Sequence, residues 1–216
     1  METGKYEVKF SAWLQQTFEI YKDNVALLIV SGLLAAVVSG ATMGILAGPM
    51  AAGLCMLALA LVDKTAPKPT AGDVFKGFQF FLPAFLLMLA VGIICMVAAV
   101  LAMVVFCLAP VVYAAVAVFI TPVMMLALPL IVDQQLDAKG SVLRSLEILK
   151  MNVWPMLGYA CLAGVLSSAG SIACGIGVIV TMPLGTLAMA VAYRDIVKQL
   201  SAGAPTAPAT TGGGAV

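Results

Sequence analysis

The chain has 216 residues, 63% hydrophobic and 10% charged, with a mean hydropathy of +1.12. Soluble domains are typically about 45–50% apolar and about 25% charged, so a globule in water could not hide this much apolar surface and a membrane is the implied solvent. The formal net charge of +1 gives no argument for a nucleic-acid partner, and none is expected.

The eleven basic and ten acidic residues leave three charge-free windows, 24–62, 77–132 and 151–193. Ahead of the first, residues 1–23 are polar and amphipathic, so no cleavable signal peptide is expected. Within 6–22, Phe10, Trp13, Leu14, Thr17, Phe18 and Tyr21 follow the i, i+3, i+4, i+7 spacing of one helix face. The first window has 39 residues. As one straight helix it would run about 58 Å, roughly twice the hydrocarbon thickness, so it must fold back. The middle window begins after a second short segment, 70–79, that opens on the capping-box pattern Thr70-x-x-Asp73. The third window follows an amphipathic stretch, 139–151, striped by Val142, Leu143, Leu146 and Leu149.

Charge decides the number of crossings. Two crossings per window put all eleven basic residues on one side, whereas three in the middle window split them six and five. The lopsided arrangement is preferred because cytoplasmic loops carry the Lys/Arg excess. Six spans follow, at 24–40, 42–62, 79–104, 108–132, 153–170 and 174–193, with both termini cytoplasmic.

The chain also repeats itself. FEIYKDNV at 18–25 matches LEILKMNV at 146–153, each just before a long apolar run. Asn24 and Asn152 occupy equivalent places and are expected to cap the helices that follow. The second helices also correspond. GPMAAGLCMLALALVD, TPVMMLALPLIVD and MPLGTLAMAVAYRD each carry a proline (Pro49, Pro122, Pro183), then an apolar run, then an aspartate (Asp63, Asp133, Asp195). Each proline is expected to kink its helix. The fold class is therefore all-α: a polytopic membrane domain over 1–198, built of three parallel hairpin units at 6–63, 70–133 and 139–195. Each unit opens with an amphipathic segment lying on the cytoplasmic surface. Trp13, Tyr21, Phe78, Phe80, Phe81, Trp154 and Tyr193 form the expected aromatic belt. Gly40, Gly44 and Gly48, four apart, predict close helix packing, as do Gly164/Ser168 and Ser171/Gly175. Residues 199–216 read as a disordered cytoplasmic tail.

Chemistry is sparse. The chain has no histidine, so Ser-His and Cys-His pairs are excluded. GxSxG, P-loop and HExxH patterns are absent. Cys55, Cys95, Cys107, Cys161 and Cys174 form no CxxC pair and read as packing residues, with a Cys107–Cys174 disulfide as the alternative. No catalytic residue, cofactor or metal is expected. The anomaly is Asp63, Asp133 and Asp195, which close three helices where the macrodipole disfavours negative charge. They call for partners, with Lys64, Arg144, Lys150 and Arg194 as the candidates, or for a ring that binds a lipid headgroup or a partner's basic segment.

The stretches AGPMAAGLCMLAL, GDVFKGFQFFLPAF and SVLRSLEILKMNVWPMLG resemble a group of bacterial polytopic membrane proteins of uncharacterised function, over roughly residues 10–198. Related domains occur alone or fused ahead of glycerophosphodiester phosphodiesterase catalytic domains. The resemblance implies a bacterial inner-membrane protein; it implies no activity, because this chain lacks the catalytic domain. The expectation is a non-enzymatic scaffold or accessory subunit that binds membrane lipids, another membrane protein or a second copy of itself. The alternative is a transporter or channel for a neutral or amphipathic solute, along the proline-bearing helices.

Overall fold

The computed structural model describes residues 6–104, 109–168 and 176–202. Among the described residues the protein is all-helical, without strands: α1 (Phe10–Asp23), α2 (Val25–Ala41), α3 (Ala47–Val62), a three-ten segment (Ala71–Phe80), α4 (Phe81–Val104), α5 (Ala109–Gln134), α6 (Ala138–Met151), α7 (Val153–Ser168) and α8 (Ile176–Ala202). Cys107 and Cys174, and the disulfide considered for them, lie outside the described residues. Cys55, Cys95 and Cys161 are free thiols.

Burial separates inner from outer helices. In α3, eleven of sixteen residues are buried, against four of seventeen in α2. Residues 125–131 of α5 and most of 187–196 in α8 are equally covered. A helix that is apolar on all sides is stable where neighbours cover all sides. Accordingly α3, α5 and α8 pack on one another. Around them, α2 packs on α3 and α8, α4 on α5 and α3, and α7 on α8 and α5. The amphipathic segments follow the same rotation: α1 lies on α8, the three-ten segment on α3, and α6 on α5.

By length and composition, one continuous helical run among the described residues, 71–101, is sufficient to cross a membrane. The runs 10–41 and 138–165 meet the same criterion only as pairs bent by 89° and 115°, and Ala47–Val62 and Val118–Gln134 are apolar but shorter. The span expected at 42–62 is shortened because residues 42–46 form a turn, with Met43 and Gly44 at positive φ. The Gly44 amide reaches the Ser39 carbonyl at 2.8 Å.

Several sequence expectations are corrected here. Gly44 is the turn residue and Gly40 has open space around it, so neither builds a packing ladder. Of that series only Gly48 makes a close approach, its notional Cβ falling 2.6 Å from the Ala84 carbonyl of α4. The tightest crossing lies elsewhere. A Cβ at Gly53 would stand 1.7 Å from the Val74 carbonyl oxygen, and one at Gly77 would stand 2.1 Å from that of Pro49. Two glycines thus let α3 and the three-ten segment meet backbone to backbone. Pro49 sits in the first turn of α3, where a missing N–H costs little, whereas Pro122 and Pro183 are internal to α5 and α8.

Neither asparagine caps as expected. The Asn24 amide donates backward to the Ile20 carbonyl at 2.9 Å, and no side-chain cap bond joins α2. The Asn152 amide donates to the Tyr6 carbonyl. Both residues lie at the corner between two helices, where the carbonyls ending the first helix also lack partners. The capping box at Thr70 and Asp73 does form. Finally, α8 runs on to Ala202, past residue 199 where the tail was expected to begin, because Gln199 is bonded to the rest of the fold.

Candidate functional site

Three of the charged residues singled out in the sequence, Asp63, Asp133 and Arg194, meet at the end of the inner triad where α3 and α5 stop. Asp63 is the C-cap of α3. Beyond it Lys64 takes a left-handed conformation (φ 51°), the Thr65 amide bonds the Ala60 carbonyl and the Lys64 amide bonds that of Leu61. This is a Schellman ending. α5 ends similarly near Asp133, with Gln135 at φ 53°. From α8, Arg194 reaches across both ends: one guanidinium nitrogen lies 2.5 Å from Asp63 Oδ2 and the other 2.8 Å from Asp133 Oδ1. The remaining oxygen of Asp133 accepts from the Tyr193 hydroxyl at 2.9 Å. Burial works against the Arg194 charge, but Asp63 and Asp133 outweigh it and hold its pKa above the usual arginine range. Its Nε is buried and has no hydrogen-bond partner among the described residues.

Asp195 faces the other way. Its Oδ2 accepts the Trp13 indole N–H at 2.9 Å and the Gln199 amide at 2.8 Å. Gln199 also exchanges two hydrogen bonds with the backbone of Glu7. Trp13 is 2% exposed and meets Tyr159 edge-on, with centroids 4.9 Å apart. The Tyr159 hydroxyl donates to the Ala188 carbonyl at 3.1 Å. Trp13 and Tyr193 are therefore interior anchors and not members of an aromatic belt, because each found a carboxylate for its polar tip. Trp154, at 83% exposed, and Phe78 and Phe81 do lie outside.

Asp63 and Asp133 offset the expected cost of their helix ends through Arg194, whereas Asp195 does not close its helix as expected, because α8 runs on to Ala202; the three do not close into a single ring. Asp63, Asp133 and Arg194 are brought together; Asp195 is adjacent in sequence but separately bound. Arg144 stands apart on α6, paired with Glu147 at 2.8 Å on an exposed face. Lys64 and Lys150 form no ion pair among the described residues. Among those residues, no group of three His, Cys, Asp or Glu side chains converges as metal ligands do. Two residues of this network were not singled out in the sequence: Gln199, assigned to the tail, and Tyr159. For Tyr159 the available signal was a hydroxyl-bearing aromatic within an otherwise apolar run.

A second feature lies deeper. A cavity of about 490 Å³ opens between α5, α7 and α8, lined by Ile120, Thr121, Met124, Met125, Ala163, Gly164, Met182, Gly185, Thr186 and Met189. It carries no charged side chain, and it sits beside Pro122 and Pro183. Gly53, on the proline-bearing helix α3, is packed against Val74 and does not line it.

Among the described residues, the fold and these sites define an all-helical protein with apolar outer helix faces, an ion-paired inner triad and an uncharged cavity that opens between α5, α7 and α8. No family model matches the chain, and no curated protein or solved structure shows significant similarity to it.

Proposed function

We propose that this is a six-crossing integral membrane protein of three parallel hairpin units, acting as a non-enzymatic scaffold that binds lipid or a partner membrane protein. The observation that carries the proposal is the outer surface. Val30, Leu33 and Val37 on α2, Leu86, Leu89, Ile93 and Val97 on α4, and Leu162 and Val165 on α7 are all large, apolar and exposed. Patches of this extent mark a membrane or an interface. The rotation of contacts, in which every outer helix and amphipathic segment leans on the inner helix of its neighbouring unit, supports a triplicated design. A sixteen-residue α3 spans roughly 24 Å, short of a core about 30 Å thick, and local thinning of the bilayer accommodates such a mismatch. In this reading the Arg194 hub fastens the inner helices at the cytoplasmic face of a bacterial inner membrane. Kinship with the uncharacterised polytopic proteins that the sequence resembles belongs to the same proposal.

Topology reporters fused near residues 70 and 136 test it: both must report the cytoplasmic side, and opposite sides would overturn the three-hairpin arrangement. A stoichiometric protein recovered after mild-detergent purification supports the scaffold reading. The cavity beside Pro122 and Pro183 favours a second reading, passage of a neutral or amphipathic solute. Flux in proteoliposomes that is lost on Thr121→Trp would support it.

A further inference from the structure

The geometry points to a specific occupant for the cavity between α5, α7 and α8: one acyl chain of a membrane lipid. The inference rests on the membrane reading above and adds a ligand class and a site to it. At about 490 Å³ the cavity falls within the range of roughly 300–1,000 Å³ typical of small-molecule sites. Its hydroxyls do not select a polar solute. The Thr186 hydroxyl donates to the Pro183 carbonyl at 2.9 Å, and Thr121 is not without a partner. What remains is apolar and soft, including four methionine side chains. Unbranched thioethers adapt to flexible, featureless partners better than branched side chains do.

Depth gives the identity. Counting about 1.5 Å per residue, residues 120–125 lie roughly 13–21 Å inward from Gln134, and residues 182–189 roughly 6–17 Å inward from Tyr193. In a core about 30 Å thick, that interval runs through the acyl-chain region of the nearer leaflet and across the midplane. The abundant molecule of matching chemistry at that level is a lipid tail.

The test uses the full chain in proteoliposomes containing a phosphatidylcholine with a diazirine midway along one acyl chain. One portion is illuminated in the bilayer; another is extracted, washed in detergent and then illuminated. Labelled residues are mapped by peptide mass spectrometry. In the bilayer, Leu86 and Ile93 on the outside of α4 are labelled. After washing, that label disappears while label on Met124 and Met189 persists. Gly164→Leu places a side chain into the cavity, where a Cβ meets only the Thr121 methyl at 4.0 Å. Persistent label then falls roughly tenfold, the cost of excluding about two methylene groups. Gly164→Ala, which fits without displacement, lowers it less and guards against a folding defect.

Label on α4 in the bilayer with none in the cavity after washing overturns the inference and leaves the membrane reading intact; the protein's own chain filling the cavity gives this result. Persistent label unchanged by Gly164→Leu also overturns it. No label on α4 in the bilayer defeats both readings.

Discussion

The approaches to α2 and α7 differ from the approach to α4. The first two turn through 89° and 115° at Asn24 and Asn152, whereas the three-ten segment runs into α4 without such a corner. The cornered approaches are anchored by side chains: Trp13 on Asp195 and Tyr159, and Asn152 on the Tyr6 carbonyl. The straight one is anchored by backbone, through Gly53 against Val74 and Gly77 against Pro49. The three segments therefore reach a similar placement on an inner helix by different physical routes. Beneath α1 the buried face carries the large Trp13 anchor and beneath α6 it carries Ser141, Ser145 and Ile148, whereas the uncornered segment makes its closest approach where Gly53 and Gly77 have no side chain.

The largest test of this contrast is Trp13→Ala. It removes a fully packed indole and its carboxylate bond, and a loss of about 3–5 kcal/mol is expected in thermal or denaturant unfolding in detergent. Gly77→Ala comes next. The overlap it forces must separate α3 from the three-ten segment, for about 1–3 kcal/mol or more. Gly40→Ala is the matched control, because its surroundings are open; a cost like that of Gly77→Ala would break the distinction between packed and unpacked glycines. Arg194→Gln leaves two carboxylates at helix C-termini without their cation. Since these pairs are partly exposed, roughly 1–2 kcal/mol is expected in the same assay. Asn24→Ala removes one side-chain bond to Ile20, worth about 0.5–1.5 kcal/mol, and changes the helical content seen by circular dichroism little.

The smallest effect is one of pH and belongs to the straight approach. Hydrogen bonding to Lys76 and the Thr70 backbone holds the Asp73 carboxyl below its usual range. A depressed folded pKa stabilises the protein above the unfolded value of about 3.9, and that contribution is lost as pH falls through the folded value. Asp73→Asn should flatten the acid limb of a melting-temperature profile taken from neutral pH down to about pH 2. An unchanged limb would separate the capping box from the stability of this segment.

Much of the helical layout is legible in the residues themselves. Charge-free windows and period-3.6 stripes place most helix boundaries within a few residues, since those signals are local, but they miss the turn that delays α3 to Ala47 and the extension of α8 to Ala202. The pairing of Asp63 and Asp133 with Arg194 follows from an electrostatic misfit visible in sequence, although choosing Arg194 over Arg144 needs the packing of α8 between α3 and α5. Asn24 misleads because an amide is both donor and acceptor, and which end of a helix it serves depends on the corner geometry. Gly40 and Gly44 mislead because spacing cannot distinguish a packing stripe from a turn. The Gly53–Gly77 crossing joins segments twenty-four residues apart, and no local pattern marks it.

Residue 7 and residue 199 are joined by a reciprocal pair of hydrogen bonds, and Trp13 closes on Asp195 beside them. A chain that leaves the ribosome from its amino end must therefore keep α1 waiting until α8 has been made, so the earliest helix is among the last to dock. The same adjacency makes the protein a natural substrate for circular permutation: a short flexible tether from the end of α8 to the start of α1, with new ends opened between Pro67 and Lys68, beyond the Schellman bonds of Lys64 and Thr65, should preserve the helix packing described above.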